Sequence, residues 1–161
     1  MAVKIRPQSG QALVELAIAL PVLLILALGV IELGRYAYIA ILVGNAAHAG
    51  ALYGSQSTAA SGDSTGIQSA AQYDFAGGTA AGSIDNGQPV SQLTVSSTPS
   101  CGCDSGGAIT PFGCATTPSC ATGHWVVIIS VTASGTFNSL FNYPGIPGSL
   151  TISRTSTMRV L

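Results

Sequence analysis

Between Glu15 and Glu32 the chain carries no charge at all, and a second ionisable group, Arg35, follows one turn later. A hydrocarbon core about 30 Å thick needs about 20 helical residues at 1.5 Å rise each. Leu16 to Ile31 is shorter than that. Starting the span at Ala12 reaches the required length and sets Glu15 inside the apolar layer near its cytoplasmic face. Extending it past Ile31 would instead bury both Glu32 and Arg35. An ionisable side chain at bilayer depth costs at least ~2.5 kcal/mol on insertion scales, so Glu15 stands out as a functional candidate. Lys4 and Arg6 precede the run and few cations follow closely. This asymmetry predicts one span with the N-terminus cytoplasmic and the C-terminal domain exported.

The rest of the composition excludes several functions. Of the 161 residues 47% are hydrophobic and only 7% charged, against about 25% charged in soluble domains. The five cations, Lys4, Arg6, Arg35, Arg154 and Arg159, form no basic face able to neutralise several phosphates, so nucleic acid is not an expected partner. No Ser/His/Asp arrangement, pair of exported carboxylates, phosphate loop or metal-spaced histidine cluster is present. His48 and His124 stand apart, and Asp63, Asp74, Asp85 and Asp104 are scattered where turn chemistry accounts for them. The expectation is a structural protein, not an enzyme, without cofactor, metal or small-molecule substrate.

Helical character extends beyond the span, from Gln11 to about Gly54. Tyr36, Ile39 or Ala40, Val43, Ala47 and Gly50 or Ala51 recur at three-to-four spacing, with Tyr38, Asn45 and His48 off that stripe. Its small residues suit close packing on a sheet or helix. Pro21 lies in the helix interior and should kink or open one turn. Residues 55–89 read as a flexible or partly helical connection: Ser55 to Gly66 is Ser/Thr/Ala/Gly-rich, Ile67 to Phe75 could add a short helix, and Gly77 to Pro89 is loop-like. From Val90 the period becomes two. Val90–Ser97 is one strand. Trp125–Phe137 is another, with Trp125, Val127, Ile129, Val131 and Phe137 on one face. Leu150–Val160 is a third, alternating Leu150, Ile152, Met158 and Val160 with Thr151, Ser153, Thr155 and Thr157. Tyr143-Pro144-Gly145 and Pro147-Gly148 mark the tip of a hairpin joining the last two. The expected fold is α+β: a long N-terminal helix packed at its exported half on a small antiparallel sheet formed within residues 90–161.

All four cysteines, Cys101, Cys103, Cys114 and Cys120, follow the span. An even count in an oxidising compartment reads as two disulfides rather than a four-thiolate zinc site. Cys101 and Cys103 are too close to bridge each other comfortably. Nested pairing, Cys103–Cys114 inside Cys101–Cys120, is preferred among the three connectivities, in a loop (residues 101–120) between strands.

Gly10-Gln11-Ala12-Leu13-Val14-Glu15, Leu16-Ala17-Ile18-Ala19-Leu20-Pro21 and Gly29-Val30-Ile31-Glu32-Leu33-Gly34-Arg35 resemble the N-terminal signature of TadE-like proteins. Asn45-Ala46-Ala47-His48-Ala49-Gly50-Ala51 is similar to that family's small-residue stretch, although His48 and Leu52 stand where many members carry basic residues. The similarity is specific over residues 10–54 and looser over 124–161. It implies a minor pilin-like (pseudopilin) subunit of a tight-adherence, Flp-type pilus or secretion system in a bacterial cytoplasmic (inner) membrane. Its implied partners are the membrane, a prepilin peptidase, other pilin-like subunits and the assembly machinery. Residues 1–10 would be the leader, cut between Gly10 and Gln11. That cut removes two of five cations and none of six acids, moving the net charge from −1 to −3.

Two readings of Glu15 then compete. It could pair with the new α-amino group of a neighbouring subunit, a pair that recovers its desolvation cost only in the right register. Alternatively, it could simply snorkel to the headgroups. A conventional signal peptide is the competing reading of the N-terminus, but the A-x-A-like Ala47-His48-Ala49 lies far beyond Ile31. Glu32 and Arg35, spaced i, i+3 at the outer boundary, either pair or are solvated separately. The alternative function is a single-pass membrane-anchored adhesin or binding domain that never polymerises.

Overall fold

The computed structural model describes residues 9–77, 93–106, 109–112, 114, 120–141 and 147–161. The leader cations Lys4 and Arg6, the expected loop at 78–89, the start of the first expected strand at 90–92, and Tyr143-Pro144-Gly145 lie outside the described residues. The chain divides between Ala37 and Tyr38 into two compact units.

Helix α1 runs from Ser9 to Gly54 and continues through Pro21. Its 46 residues correspond to about 69 Å of helix. In the first unit the large apolar side chains of the helix are exposed, from Leu13 through Leu20, Leu24 and Ile31 to Leu33, with Leu28 of intermediate exposure. The helix is long and apolar enough to cross a membrane, and none of its most apolar window is buried in the protein. An all-round apolar surface left uncovered by protein is what lipid accommodates.

In the second unit α1 contributes Tyr38 to Gly54. Ile39, Val43, Ala46, Ala47 and Ala51 are buried, close to the expected stripe; Tyr36, its first expected member, is exposed. The small residues let the helix sit close to the sheet. A Cβ on Gly50 would lie 3.0 Å from Val131 Cγ1, and one on Gly54 would lie 3.0 Å from Ile129 Cγ1. From the sheet side, a Cβ on Gly135 would meet Val43 Cγ2 at 2.8 Å. Helices α2 (Thr58–Gly62) and α3 (Ser64–Phe75) follow. Local capping explains why a Ser/Thr/Gly-rich stretch is helical here. Ser57 Oγ accepts the Ala60 amide at 3.1 Å, and Asp63 Oδ1 accepts the Gly66 amide at 3.0 Å; each supplies an acceptor for an otherwise unpaired first-turn donor. Ile67, Ala71 and Phe75 then form the buried edge of α3.

The sheet comprises β1 (Leu93–Asp104), β2 (Ile109–Phe112), β3 (His124–Asn138) and β4 (Ser149–Arg159), all antiparallel in the order β2-β1-β3-β4. The inner faces of β3 and β4 bury Val127, Ile129, Val131, Ala133, Phe137 and Ile152 against the helices. On the outer face hydroxyls pair across the β3–β4 hairpin: Ser130 with Thr157 at 3.0 Å, Thr132 with Thr155 at 2.8 Å, and Ser134 with Ser153 at 3.0 Å. The fold is therefore α+β, a long N-terminal apolar helix with a small antiparallel sheet.

One expectation is corrected. Cys101 and Cys103 do not lie in a loop between strands but in β1, which runs on to Asp104 and pairs with β3 as far as Asp104↔His124. The cause lies in β3, whose Val126 and Val127 are both buried. A strand apolar on both faces needs a neighbour along its whole length. Cys101, a small apolar residue only 2% exposed, fills a core position there. Pro99 is accommodated because β2 covers only Cys101–Asp104, so β1 is a sheet edge at Pro99, where a missing donor is tolerated.

Candidate functional site

Gly10 and Gln11 lie in the first turn of α1, where backbone N–H groups have no helical acceptor. A Cβ on Gly10 would meet nothing within 4 Å. One turn on, Glu15 is exposed, and its Oε1 accepts a 3.3 Å hydrogen bond from Gln11 Nε2. Below it the apolar side chains Ile18, Ala19, Val22 and Leu23 share its face of the helix. These positions follow i, i+3, i+4, i+7 and i+8, so one carboxylate heads an apolar strip. At the far end of the run Arg35 Nη1 donates to Glu32 Oε2 at 3.0 Å. The structure thus joins these two, in an i, i+3 contact worth a few tenths of a kcal/mol.

The cysteines form two disulfides, Cys101–Cys114 and Cys103–Cys120. This interleaved pairing corrects the nested expectation, and strand register explains it. β2 runs back along β1 with Phe112 opposite Cys101, so Cys114, two residues later, emerges beside Cys101. β3 begins at His124, opposite Asp104, which places Cys120, four residues earlier, at the Cys103 end. Spacing alone contains no strand register and could not show this.

Two polar constellations were not anticipated from the sequence. Arg159 Nη1 lies 3.3 Å from Asp104 Oδ2, and Arg159 Nη2 contacts His124 Nε2, which is 4.0 Å from Asp104 Oδ2. The registers Asp104↔His124 and Ile128↔Arg159 bring three strands' polar ends together. Their pairing positions could not be read before the register was known. The second is a latch between α1 and α3: Tyr53 donates to Asp63 Oδ2 at 2.8 Å. The Gly66 amide and the Tyr53 hydroxyl hold the Asp63 carboxyl below its ordinary range. The same hydrogen bond and the carboxylate charge raise the Tyr53 phenol. A Cβ on Gly66 would collide with Tyr53 and Asp63, so glycine at that position leaves room for the latch. Asp63 is a residue type suited to a helix N-cap, whereas the Tyr53 partner depends on how α1 and α3 pack. His48 is exposed on α1, and Asp74 lies within α3. Asp85 lies outside the described residues. Among the described residues no group of three or more His, Cys, Asp or Glu side chains is placed to hold a metal ion.

No curated protein and no solved structure matches the chain. The stretch that holds Gly10, Gln11, Glu15, the apolar run, Glu32 and Arg35 does have a counterpart: residues 10–52 match the model of the family described as TadE-like protein.

Proposed function

We propose that this chain is a minor pilin-like (pseudopilin) subunit for assembly of a tight-adherence, Flp-type pilus or related secretion apparatus, a structural rather than catalytic protein. The observation that carries this reading is the TadE-like match over residues 10–52, which covers the unburied apolar half of α1 and most of its sheet-packing half. TadE-like proteins are pilin-like components associated with such pili. In this reading the chain is anchored in a bacterial cytoplasmic membrane by residues 12–31, with the sheet exported into an oxidising compartment where its disulfides persist.

A membrane prepilin peptidase removes residues 1–10. The Gly10–Gln11 bond suits that step, because the first helical turn frays readily and Gly10 has no side chain to block close approach. Cleavage leaves Glu15 as the fifth residue and frees a positive α-amino group at a similar depth. Pairing of Glu15 with that group on a neighbouring subunit would lower the cost of a carboxylate in hydrocarbon, so helices in the wrong register are penalised. Glu32 and Arg35 mark the outer boundary.

The deciding measurement is the N-terminal residue of the protein isolated from its host membrane. A start at Gln11 is expected; a start at Met1, or near Gly50, would overturn the reading. Glu15→Ala should leave cleavage intact and abolish assembly. Normal assembly of the cleaved variant would remove Glu15 from the mechanism.

A further inference from the structure

At one end of the second unit the exposed side chains are apolar, where a loop tip is ordinarily small and polar. The last rungs of the β3–β4 hairpin are Phe137↔Leu150 and Asn138↔Ser149. Leu150 is 41% exposed there, and just beyond, Leu140 and Phe141 are 60% and 44% exposed. The Ser139 amide donates to the Gly148 carbonyl at 3.0 Å, and Ser139 Oγ donates to the Phe141 carbonyl at 2.9 Å, so the backbone carrying these side chains belongs to the hairpin. No Asp, Glu, Lys or Arg lies between Asp104 and Arg154, so the tip has no charge of its own to hold it in water.

Helix packing within the second unit shows which end this is. Gly54 packs by Ile129, Gly50 by Val131 and Val43 by Gly135, so α1 and β3 run in opposite directions. Ile39, Phe137 and Phe75 share one core cluster. The apolar tip therefore stands at the Tyr38 end of this unit, where the chain arrives from the apolar run. Tyr38 lies seven residues after Ile31, and seven residues span at most about 25 Å fully extended. Whatever the angle between the two units, the chain itself keeps this end near the bilayer.

From this placement we infer that the partner of the tip is the lipid surface: Leu140, Phe141 and Leu150 insert at the boundary between headgroups and acyl chains, a second membrane contact beside the span. This inference rests on the single-span reading above. Leucine and phenylalanine gain at that boundary by leaving water. The span already holds the chain at the membrane, so the second contact forms at a high effective concentration and a small patch is enough. Tyr38 and Tyr73, the latter two residues before Phe75, are exposed at the same end, and tyrosine rings suit the headgroup level. Asp74 is exposed there as well. Its carboxylate stays in water, which limits the contact to the interface.

The test is quenching of a single tryptophan by lipid bromines, with the full chain in phosphatidylcholine–phosphatidylglycerol vesicles whose acyl chains are brominated near the headgroup. Trp125 is the only native tryptophan. It lies twelve strand residues from Phe137, about 40 Å away, so the wild type is the control. In a Trp125→Phe background, Leu140→Trp and Phe141→Trp, both at exposed positions, should be quenched several-fold more strongly than Trp125, with blue-shifted emission. Tip tryptophans quenched no more than Trp125 would overturn the proposal. So would a blue shift without quenching, because protein rather than lipid would then cover the tip. Leu24→Trp in the same background reports the span. Quenching there without quenching at the tip removes the tip contact and leaves the anchor standing. Quenching at the tip alone retains the lipid contact and removes the span. The N-terminal residue of the native protein, which decides the pilin-like reading, moves neither signal.

Discussion

Gly54→Ala should destabilise the wild type but stabilise a chain that already carries Ile67→Ala. Ile67 is fully buried between α1 and the sheet. A Cβ added to Gly54 would lie 3.1 Å from Ile67 Cδ1, 3.4 Å from Ile67 Cγ1 and 3.0 Å from Ile129 Cγ1. Ile67→Ala removes three carbons. Their transfer is worth about 2.4 kcal/mol at ~0.8 kcal/mol each, and the cavity left behind brings the expected loss to about 3–4 kcal/mol. Gly54→Ala alone gains at most ~1 kcal/mol of helix propensity but overpacks a site whose neighbours are buried, a cost of about 1–3 kcal/mol. Its net effect should be a loss of about 1 kcal/mol. In the Ile67→Ala background two of the three close contacts vanish and the new methyl partly refills the cavity. The same substitution should there stabilise by about 1 kcal/mol, a coupling of about 2 kcal/mol. Urea unfolding of the full chain in detergent micelles, followed by the fluorescence of Trp125, the single tryptophan, would measure all four proteins of the cycle. Effects that add to within ~0.5 kcal/mol would refute the close approach of α1 to α3 through a glycine.

Other expectations follow from the loop chemistry and the latch. Replacing Cys103 and Cys120 together by serine should cost about 3 kcal/mol through regained loop entropy in the unfolded chain, measured by the same unfolding assay. Fragmentation mass spectrometry of the unreduced wild type should recover Cys101 linked to Cys114 and not to Cys120. Asp63 has a depressed pKa in the fold, so its contribution is present above its unfolded value and is lost as pH falls through the folded one. Tyr53, with a raised pKa, loses its contribution as pH rises through its folded value. Asp63→Asn should therefore flatten the fall in stability expected of the wild type as pH drops below the ordinary carboxylate range; an unchanged acid limb would remove Asp63 as its source. Gly123 has φ +84° and a Cβ there would strike the Asp104 carbonyl. Gly123→Ala should cost more than ~1 kcal/mol and loosen the start of the β1–β3 ladder, which amide hydrogen exchange at Trp125 would report.

Much of the architecture was legible because it depends on periodicity. An uncharged run has only one stable surrounding when no protein covers it. From Ile129 to Phe137 β3 alternates buried and half-buried residues at period two, whereas on β4 only Ile152 of the expected inner row is buried and Leu150 is exposed; the helix stripe from Ile39 to Ala51 follows period 3.6. Two features misled. The expected first strand ends at Ser97 and the expected cysteine segment is a loop, yet β1 continues to Asp104, because a strand's extent is decided by its partner as well as by its own residues. The Ser/Thr/Gly composition of residues 55–66 concealed α2 and the start of α3, whose helicity rests on single capping side chains at Ser57 and Asp63.

By itself, then, the sequence determined what is local: the apolar run with Glu15 at its head, the helix that extends beyond it, and the faces of the last two strands. Each follows from residue spacing along one element. Only the tertiary structure decided which distant residues meet. The interleaved disulfides, the Tyr53–Asp63 latch and the Asp104–His124–Arg159 cluster all depend on strand register or helix packing. Those are relations between elements, and they are set when burial of the shared core selects one alignment among many compatible with the same local pattern.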